Sequence, residues 1–188
     1  MTARLLYVMD PMCSWCWGFA PVAKALVEQA QAAGVELHLV VGGLRTGSGS
    51  ALEPTTRRYI LEHWQAVTEA TGQPFKFEGA LPDGFVYDTE PACRAIVTAR
   101  SLAPDCAWKL LGLIQHAFYV EGRDVTLASI LVELAEPGIE LEVIEHVVHP
   151  AHVPLQVEAE AADVGGLGHQ RPGGGFLGDR EGAGEVLE

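Results

Sequence analysis

The hydrophobic positions of residues 1–43 change their period twice, and each change predicts a new element. Residues 5–9, LLYVM, form a short apolar run that is typical of a buried central strand. Residues 35–41 place apolar side chains at every second position and predict a second strand, which a right-handed crossover would make parallel to the first. Between them, apolar residues at spacings of three and four predict one face of a helix: Phe19, Val22, Leu26, Ala30 and Ala33.

Residues 51–164 carry mostly helical spacing and predict a run of helices after the second strand. One of these helices ends at Gly72, because glycine readily adopts the left-handed conformation that terminates a helix. Another begins where Asp88 or Thr89 can cap its free backbone N–H groups. A third covers roughly residues 105–120, and shorter helices follow it.

Residues 165–188 differ in composition from the rest of the chain, with nine glycines and no apolar run longer than two residues. Glycine is unfavourable inside strands and helices, and so few apolar side chains can bury little area. We therefore expect this segment to be mostly irregular, with at best a short strand at Phe176 and Leu177.

The charge of the chain limits its partners. Its 188 residues carry a formal net charge of -13 with a pI of about 4.9, which disfavours nucleic acid and anionic membranes because both require clustered Lys and Arg. The N-terminus lacks the pattern of a secretory signal, and no apolar run is long enough for a transmembrane helix. We expect a cytoplasmic protein, where paired cysteines are more often catalytic or metal-binding than structural.

The most informative motif is Cys13-Ser14-Trp15-Cys16, which lies between the first predicted strand and the predicted helix. In the first turn of a helix, free N–H groups and the helix dipole favour a thiolate, which is the nucleophile in disulfide exchange. Cys13 is therefore the expected nucleophile, and Cys16, one turn further on, the resolving thiol. Ser14 can offer a hydroxyl near the sulfur, and Trp15 an exposed apolar surface without positive charge, which indicates a mild oxidant.

Other readings of the cysteines are weaker. A zinc site needs two further ligands at suitable spacing, and His63, His116 and His146 form no such pattern, so no metal is expected. Cys93 and Cys106 lie on predicted helices among apolar residues, where buried free cysteine is common, and we expect turnover not to need them. A second redox pair is the alternative. Of the aromatic residues near the motif, only Trp15 is expected outside the core.

Residues 7–19, YVMDPMCSWCWGF, resemble the active-site segment of the DsbA-like thioredoxin family, in particular its cytoplasmic FrnE-type branch. Residues 87–95, YDTEPACRA, and residues 115–124, QHAFYVEGRD, are similar to the same branch. The resemblance implies an α/β thioredoxin-like fold, with residues 1–50 as the β–α–β unit and residues 51–164 as an inserted helical domain. It also implies disulfide oxidoreductase or isomerase activity.

The chain departs from the family pattern after Leu167 and Gly168. The family continues with a cis-proline that faces the two cysteines, then a strand hairpin and a last helix. Pro172 is the nearest counterpart of that proline, and residues 165–188 resemble only a degenerate remainder of the thioredoxin-like domain. The sheet is therefore expected to be incomplete. A local frameshift in the gene is one hypothesis for this ending.

Three functional hypotheses follow. The first is a thiol–disulfide oxidoreductase that acts on protein or small-molecule disulfides, without a bound cofactor and with glutathione as a candidate electron partner. The second is a glutathione-dependent isomerase similar to kappa-class transferases, a group that usually has serine at the position of Cys13. The third is an inactive binding protein of the same fold. The sequence leaves the oligomeric state, the client and the direction of the redox reaction open.

Overall fold

The computed structural model describes residues 3–102 and 104–135. Pro172, the segment 165–188 and the helices expected after residue 135 lie outside the described residues. In chain order the elements are β1 (Arg4–Met9), α1 (Ser14–Ala32), β2 (Glu36–Val41), α2 (Pro54–Thr71), α3 (Glu90–Leu102), α4 (Pro104–His116), a π-helical turn (Ala117–Glu121) and α5 (Ala128–Ala135).

The predicted β–α–β unit is confirmed. β1 and β2 are parallel, with Leu6 opposite His38 and Met9 opposite Val41. The expected burial of β1 is found only at its carboxyl end, since Met9 is buried while Val8 is 55% exposed. Within the described residues β1 has one strand neighbour, so the side chains of its first half meet few partners.

The buried face of α1 differs in part from the predicted one. The residues that pack inward are Trp17, Gly18, Ala23 and Ala30, whereas Phe19 and Val22 are 43% and 54% exposed. Neighbouring helix positions point about 100° apart, so in the first half of α1 the buried positions lie beside the expected ones, whereas Ala30 is buried as predicted. Gly18 explains the choice, because an added Cβ there would lie 2.7 Å from the Val67 side chain of α2. The small residues of α1 let the two helices approach closely.

The helix boundaries read from the sequence are largely confirmed. Gly72 ends α2 in the left-handed conformation, with φ of 73°. The carboxylate of Asp88 accepts a hydrogen bond from the Glu90 N–H at 3.0 Å and caps α3. Asp124 accepts a hydrogen bond from the Thr126 N–H at 3.0 Å in the loop before α5.

The predicted helix over residues 105–120 is interrupted. Regular α-helix ends at His116, and the chain continues as the π-helical turn Ala117–Glu121 before Gly122, whose φ is 72°. A π turn inserts one extra residue per turn, so consecutive side chains can face the same side. Here it buries Phe118 and Tyr119 together, and both rings pack against Trp64 of α2 at centroid distances of 5.6 and 5.2 Å. These aromatic side chains form the core beneath the start of α1.

We predict that Gly18→Ala destabilises the protein relative to Gly112→Ala. Both glycines lie inside helices, so both variants gain about 1 kcal/mol of helix propensity. At Gly18 the new methyl group would lie 2.7 Å from Val67 and 3.1 Å from Thr71, whereas at Gly112 nothing lies within 4 Å. Overpacking of this kind costs about 1–3 kcal/mol.

The measurement is urea unfolding followed by circular dichroism, with the free energies of the two variants compared. Gly18→Ala should unfold at a lower urea concentration than Gly112→Ala. Equal midpoints would show that α1 and α2 do not pack as described.

Candidate active site

A tight turn connects β1 to α1 and places Cys13 at the start of the helix. The N–H of Cys13 donates to the Asp10 carbonyl at 3.1 Å, and the Cys13 carbonyl accepts from the Trp17 N–H at 3.0 Å. Cys13 is the N-cap residue of α1, with extended backbone dihedrals. The sequence placed Cys13 at a helix N-terminus, and the structure confirms that placement.

The two thiols of the motif have pKa values that are shifted in opposite directions. The pKa of Cys13 is lowered from 9.0 to about 6, mainly because the Cys16 thiol donates a hydrogen bond to the Cys13 sulfur. Backbone N–H groups of Cys16 and Trp15 lower it further, while burial opposes them. The same thiol–thiol hydrogen bond, together with burial, raises the pKa of Cys16. Cys13 is therefore the more acidic thiol, and the leading cause is its partner cysteine rather than the helix terminus alone.

Asp10 is a site residue that the sequence analysis did not single out. Its side chain is only 3% exposed. One carboxylate oxygen accepts from the Met12 N–H at 2.8 Å, and the other accepts from the Leu44 N–H at 2.7 Å and from the Cys93 thiol at 3.3 Å. The sequence contains a sign of this buried position. Asp10 directly follows an apolar strand and precedes Pro11, which leaves its side chain few ways to reach solvent.

Tyr87 holds the same turn from the side of the helical region. Its hydroxyl donates to the Met12 carbonyl at 2.5 Å, and the guanidinium of Arg45 lies 5.4 Å from the centre of its ring. Burial raises the pKa of both Tyr87 and its neighbour Tyr119 well above the ordinary value, so both hydroxyls stay protonated. Within the described residues, the buried Tyr119 hydroxyl has no partner at hydrogen-bonding geometry.

The aromatic residues of the motif separate into exposed and buried positions. Trp15 is 51% exposed beside Cys13, as expected, and Ser14 is half-buried. Trp17 is buried and donates from Nε1 to the Pro74 carbonyl at 3.0 Å, which ties the first turn of α1 to the loop after α2. The expectation that Phe19 belongs to the core is wrong, because Phe19 lies on the outer face of α1, where its ring is 5.9 Å from the ring of Tyr7.

A largely apolar cavity of about 550 Å³ lies between α1 and α4 and reaches Cys16. Tyr7 and Trp108 form one wall, with their rings stacked at a centroid distance of 5.7 Å. Cys16 thus lines an apolar space next to Cys13, which is a setting that keeps a thiol neutral.

The other two cysteines lie away from the motif in sequence. Cys93 is buried in α3, and burial raises the pKa of its thiol, which makes it a poor nucleophile. Cys106 is half-buried on α4. In the described part of the chain, no group of three or more potential ligands could hold a metal ion. No helix between residues 3 and 135 is both long and apolar enough to cross a membrane.

A parallel β–α–β unit with a Cys-x-x-Cys motif at the start of its helix, followed by a set of helices, defines a thioredoxin-like thiol–disulfide oxidoreductase. No protein-family model matches the chain. Solved structures do match it. A candidate protein disulfide isomerase from Nitrosomonas europaea is 36% identical, with a TM-score of 0.74 over 89% of this chain and 81% of that one.

The cytosolic disulfide reductase DsbM from Pseudomonas aeruginosa is 32% identical, with a TM-score of 0.71 over 85% of this chain and 75% of DsbM. A second DsbM structure, with glutathione, is similar at 30% identity and a TM-score of 0.71, over 85% of this chain and 76% of that one. The chain belongs to this family of DsbA-like disulfide isomerases and reductases.

A curated relative extends the comparison. The ClpXP adapter protein SpxH from Halalkalibacterium halodurans is 26% identical over 132 residues, which are 68% of this chain. The match spans only 42% of the length of the adapter.

We predict that limiting iodoacetamide alkylates Cys13 before Cys16, at a rate that rises as the pH passes through about 6. An acid with a lowered pKa is ionised above that pKa, and only the thiolate reacts. In Cys16→Ala the titration of Cys13 should move towards 9.0, because the donor thiol is lost. Cys16→Ser, which keeps a hydroxyl donor, should move it less. The measurement is mass spectrometry of peptides from a pH series.

Two results would contradict this assignment. One is faster labelling of Cys16 than of Cys13 at neutral pH. The other is an unchanged Cys13 titration in Cys16→Ala, which would mean that backbone N–H groups alone stabilise the thiolate.

Proposed function

We propose that this protein reduces or isomerises disulfide bonds of other proteins in the cytoplasm, as a member of the FrnE-type branch. Cys13 is the nucleophile and Cys16 the resolving thiol. The observation that supports the proposal is the placement of Cys13 as the N-cap residue of α1, with Cys16 in the first turn of the same helix. The interaction between their two side chains lowers the pKa of Cys13 and raises that of Cys16. One cysteine is thus ready to attack at neutral pH, while the other is held back until a mixed disulfide has formed.

The reaction proceeds in two exchanges. The Cys13 thiolate attacks one sulfur of the substrate disulfide, a mixed disulfide forms, and the other substrate sulfur leaves as a thiolate that takes up a proton. Cys16 then loses its proton and attacks the Cys13 sulfur, which releases the second substrate thiol. The substrate gains two electrons and two protons, and Cys13 and Cys16 become a disulfide. If another substrate thiol attacks the mixed disulfide first, the substrate disulfide is rearranged and the enzyme stays reduced.

Glutathione is the proposed electron partner. The solved structure of DsbM with glutathione supports this choice, because DsbM has a similar fold. Two glutathione molecules would return the Cys13–Cys16 disulfide to two thiols and leave as glutathione disulfide. No bound cofactor is needed for either half of the cycle, because the two cysteines themselves carry the electrons.

Ser14, Trp15 and Pro172 are the proposed contacts around the reacting sulfur. Trp15 offers an exposed indole beside Cys13, where an apolar side chain of a protein substrate can pack. Ser14 supplies a hydroxyl at the same rim. Pro172 has this role only by its similarity to the family's cis-proline.

Two other functions make different predictions. A glutathione-dependent isomerase of the kappa-class type needs no resolving thiol, and the Cys16 hydrogen bond to Cys13 argues against it. A non-catalytic binding protein is favoured by the similarity to the adapter SpxH. Such a protein would hold a partner without needing either thiol.

The decisive experiment is insulin reduction with glutathione as electron donor, for the wild-type protein and three variants. Cys13→Ala should lose at least 100-fold in rate, because the thiolate that attacks is absent. Cys16→Ala should accumulate a mixed disulfide that is visible on a non-reducing gel. Cys106→Ala is the matched control and should keep the wild-type rate.

Each rival has its own signature in this assay. Activity that survives Cys16→Ala and acts on glutathione conjugates would favour the glutathione-dependent isomerase. A folded wild-type protein that reduces no disulfide would favour the binding protein.

A further inference from the structure

The Asp10 carboxylate is a buried charge next to a redox centre. Its donors are the backbone N–H groups of Met12 and Leu44 and the thiol of Cys93, and all three are uncharged. These donors come from the turn before α1, the segment after β2 and helix α3. They spread the negative charge of the carboxylate over several hydrogen bonds. They do not neutralise that charge, whereas a buried cation would.

Asp10, which carries this charge, and Cys13, which carries the reacting sulfur, are separated by a single turn of the chain. The Asp10 carbonyl accepts from the Cys13 N–H at 3.1 Å, so Asp10 and Cys13 are the two ends of the same hydrogen-bonded turn. Pro11 and Met12, the two residues between them, are buried. Little solvent therefore separates the carboxylate from the motif, and screening between the two is weak.

We propose that Asp10 is a positioning residue that sets the reduction potential of the Cys13–Cys16 pair, and that the Cys93 thiol moderates its charge. The inference rests on the proposed function, since it assumes that Cys13 and Cys16 cycle between thiols and a disulfide. It assigns a role to a carboxylate and a thiol that take no part in the exchange itself.

The physical reason is the difference in charge between the two redox states. When the pair is reduced, Cys13 carries a negative charge, and when it is oxidised the disulfide is neutral. A buried carboxylate one turn away repels the thiolate and so favours the disulfide. The direction of this effect is seen in the pKa values of both thiols, which the charge of Asp10 raises.

Cys93 acts on the same charge through its hydrogen bond. Its S–H group donates to the Asp10 oxygen that also accepts from Leu44, at 3.3 Å. A donated hydrogen bond disperses part of the carboxylate charge and so weakens its repulsion of the thiolate. Among the described residues, the ionisable groups near the turn include Arg45, which lies over the Tyr87 ring, and the protonated hydroxyls of Tyr7, Tyr87 and Tyr119.

The test is the redox equilibrium of the full chain with glutathione, followed by quantifying the alkylated thiols. In this reaction one protein disulfide and two glutathione molecules give one protein dithiol and one glutathione disulfide. Asp10→Asn should raise the equilibrium constant about tenfold towards the dithiol, equivalent to about 30 mV for a two-electron couple. It should also lower the pKa of Cys13. Asp124→Asn, which alters a similar turn carboxylate before α5, should change neither.

The Cys93 variants give a second test with the opposite sign. Cys93→Ala removes a donor but keeps the charge, so the equilibrium constant should fall, by about threefold, towards the disulfide. Cys93→Ser keeps a hydroxyl donor and should restore the wild-type value. If Cys93 acted through packing alone, Cys93→Ser, which places a polar hydroxyl in the core, would change the equilibrium constant at least as much as Cys93→Ala.

The outcomes separate this inference from the proposed function. If wild-type protein forms no Cys13–Cys16 disulfide with glutathione, the proposed function fails. If the wild-type protein does form this disulfide, but Asp10→Asn and Cys93→Ala have the same equilibrium constant with glutathione as the wild type, the inference alone is wrong. Should Asp10→Asn not fold, as judged by thermal melting, the opposed behaviour of Cys93→Ala and Cys93→Ser decides the question.

Discussion

Asp10 accepts the hydrogen bonds that fix the turn between β1 and α1, and the rest of the structure depends on this turn. Its carboxylate joins the end of β1 to the segment after β2 and to α3, and its carbonyl receives the N–H of Cys13. Without these bonds the turn would have free N–H groups in a buried position, which is costly. The same bonds orient the start of α1, and therefore the direction in which the Cys13 sulfur faces. Folding and chemistry thus depend on one set of contacts.

The remaining contacts fix that turn against the helical region. The Tyr87 hydroxyl holds the Met12 carbonyl, and the Trp17 indole holds the loop after α2. Tyr87 and Trp17 both pack on the aromatic core that the π-helical turn completes, at ring distances of 5.8 Å to Phe118 and 6.0 Å to Tyr119. The region after β2 therefore supports the turn before α1 directly, because Tyr87 in the loop before α3 and Cys93 in α3 both form hydrogen bonds with residues of that turn.

Much of this arrangement could be predicted from the sequence, and the failures have physical causes. The parallel β–α–β unit and the place of Cys13 follow from local periodicity and the position of the motif, both of which are properties of neighbouring residues. The buried face of α1 could not be read this way, because it depends on how closely α2 approaches Gly18. The π turn and the role of Asp10 likewise depend on partners more than 30 residues away, such as Leu44 and Cys93.

The proposed function, reduction or isomerisation of disulfides, depends on a balance of forces at Cys13. The Cys16 thiol and two backbone N–H groups stabilise the thiolate, whereas burial and the charge of Asp10 oppose it. A thiolate that was stabilised much more strongly would be a better leaving group and a poorer nucleophile, and the pair would act mainly as an oxidant. A thiolate without stabilisation would be scarce at neutral pH. Opposed contributions of uncharged donors and a buried carboxylate keep the thiolate available and still reactive, which is what exchange in either direction requires.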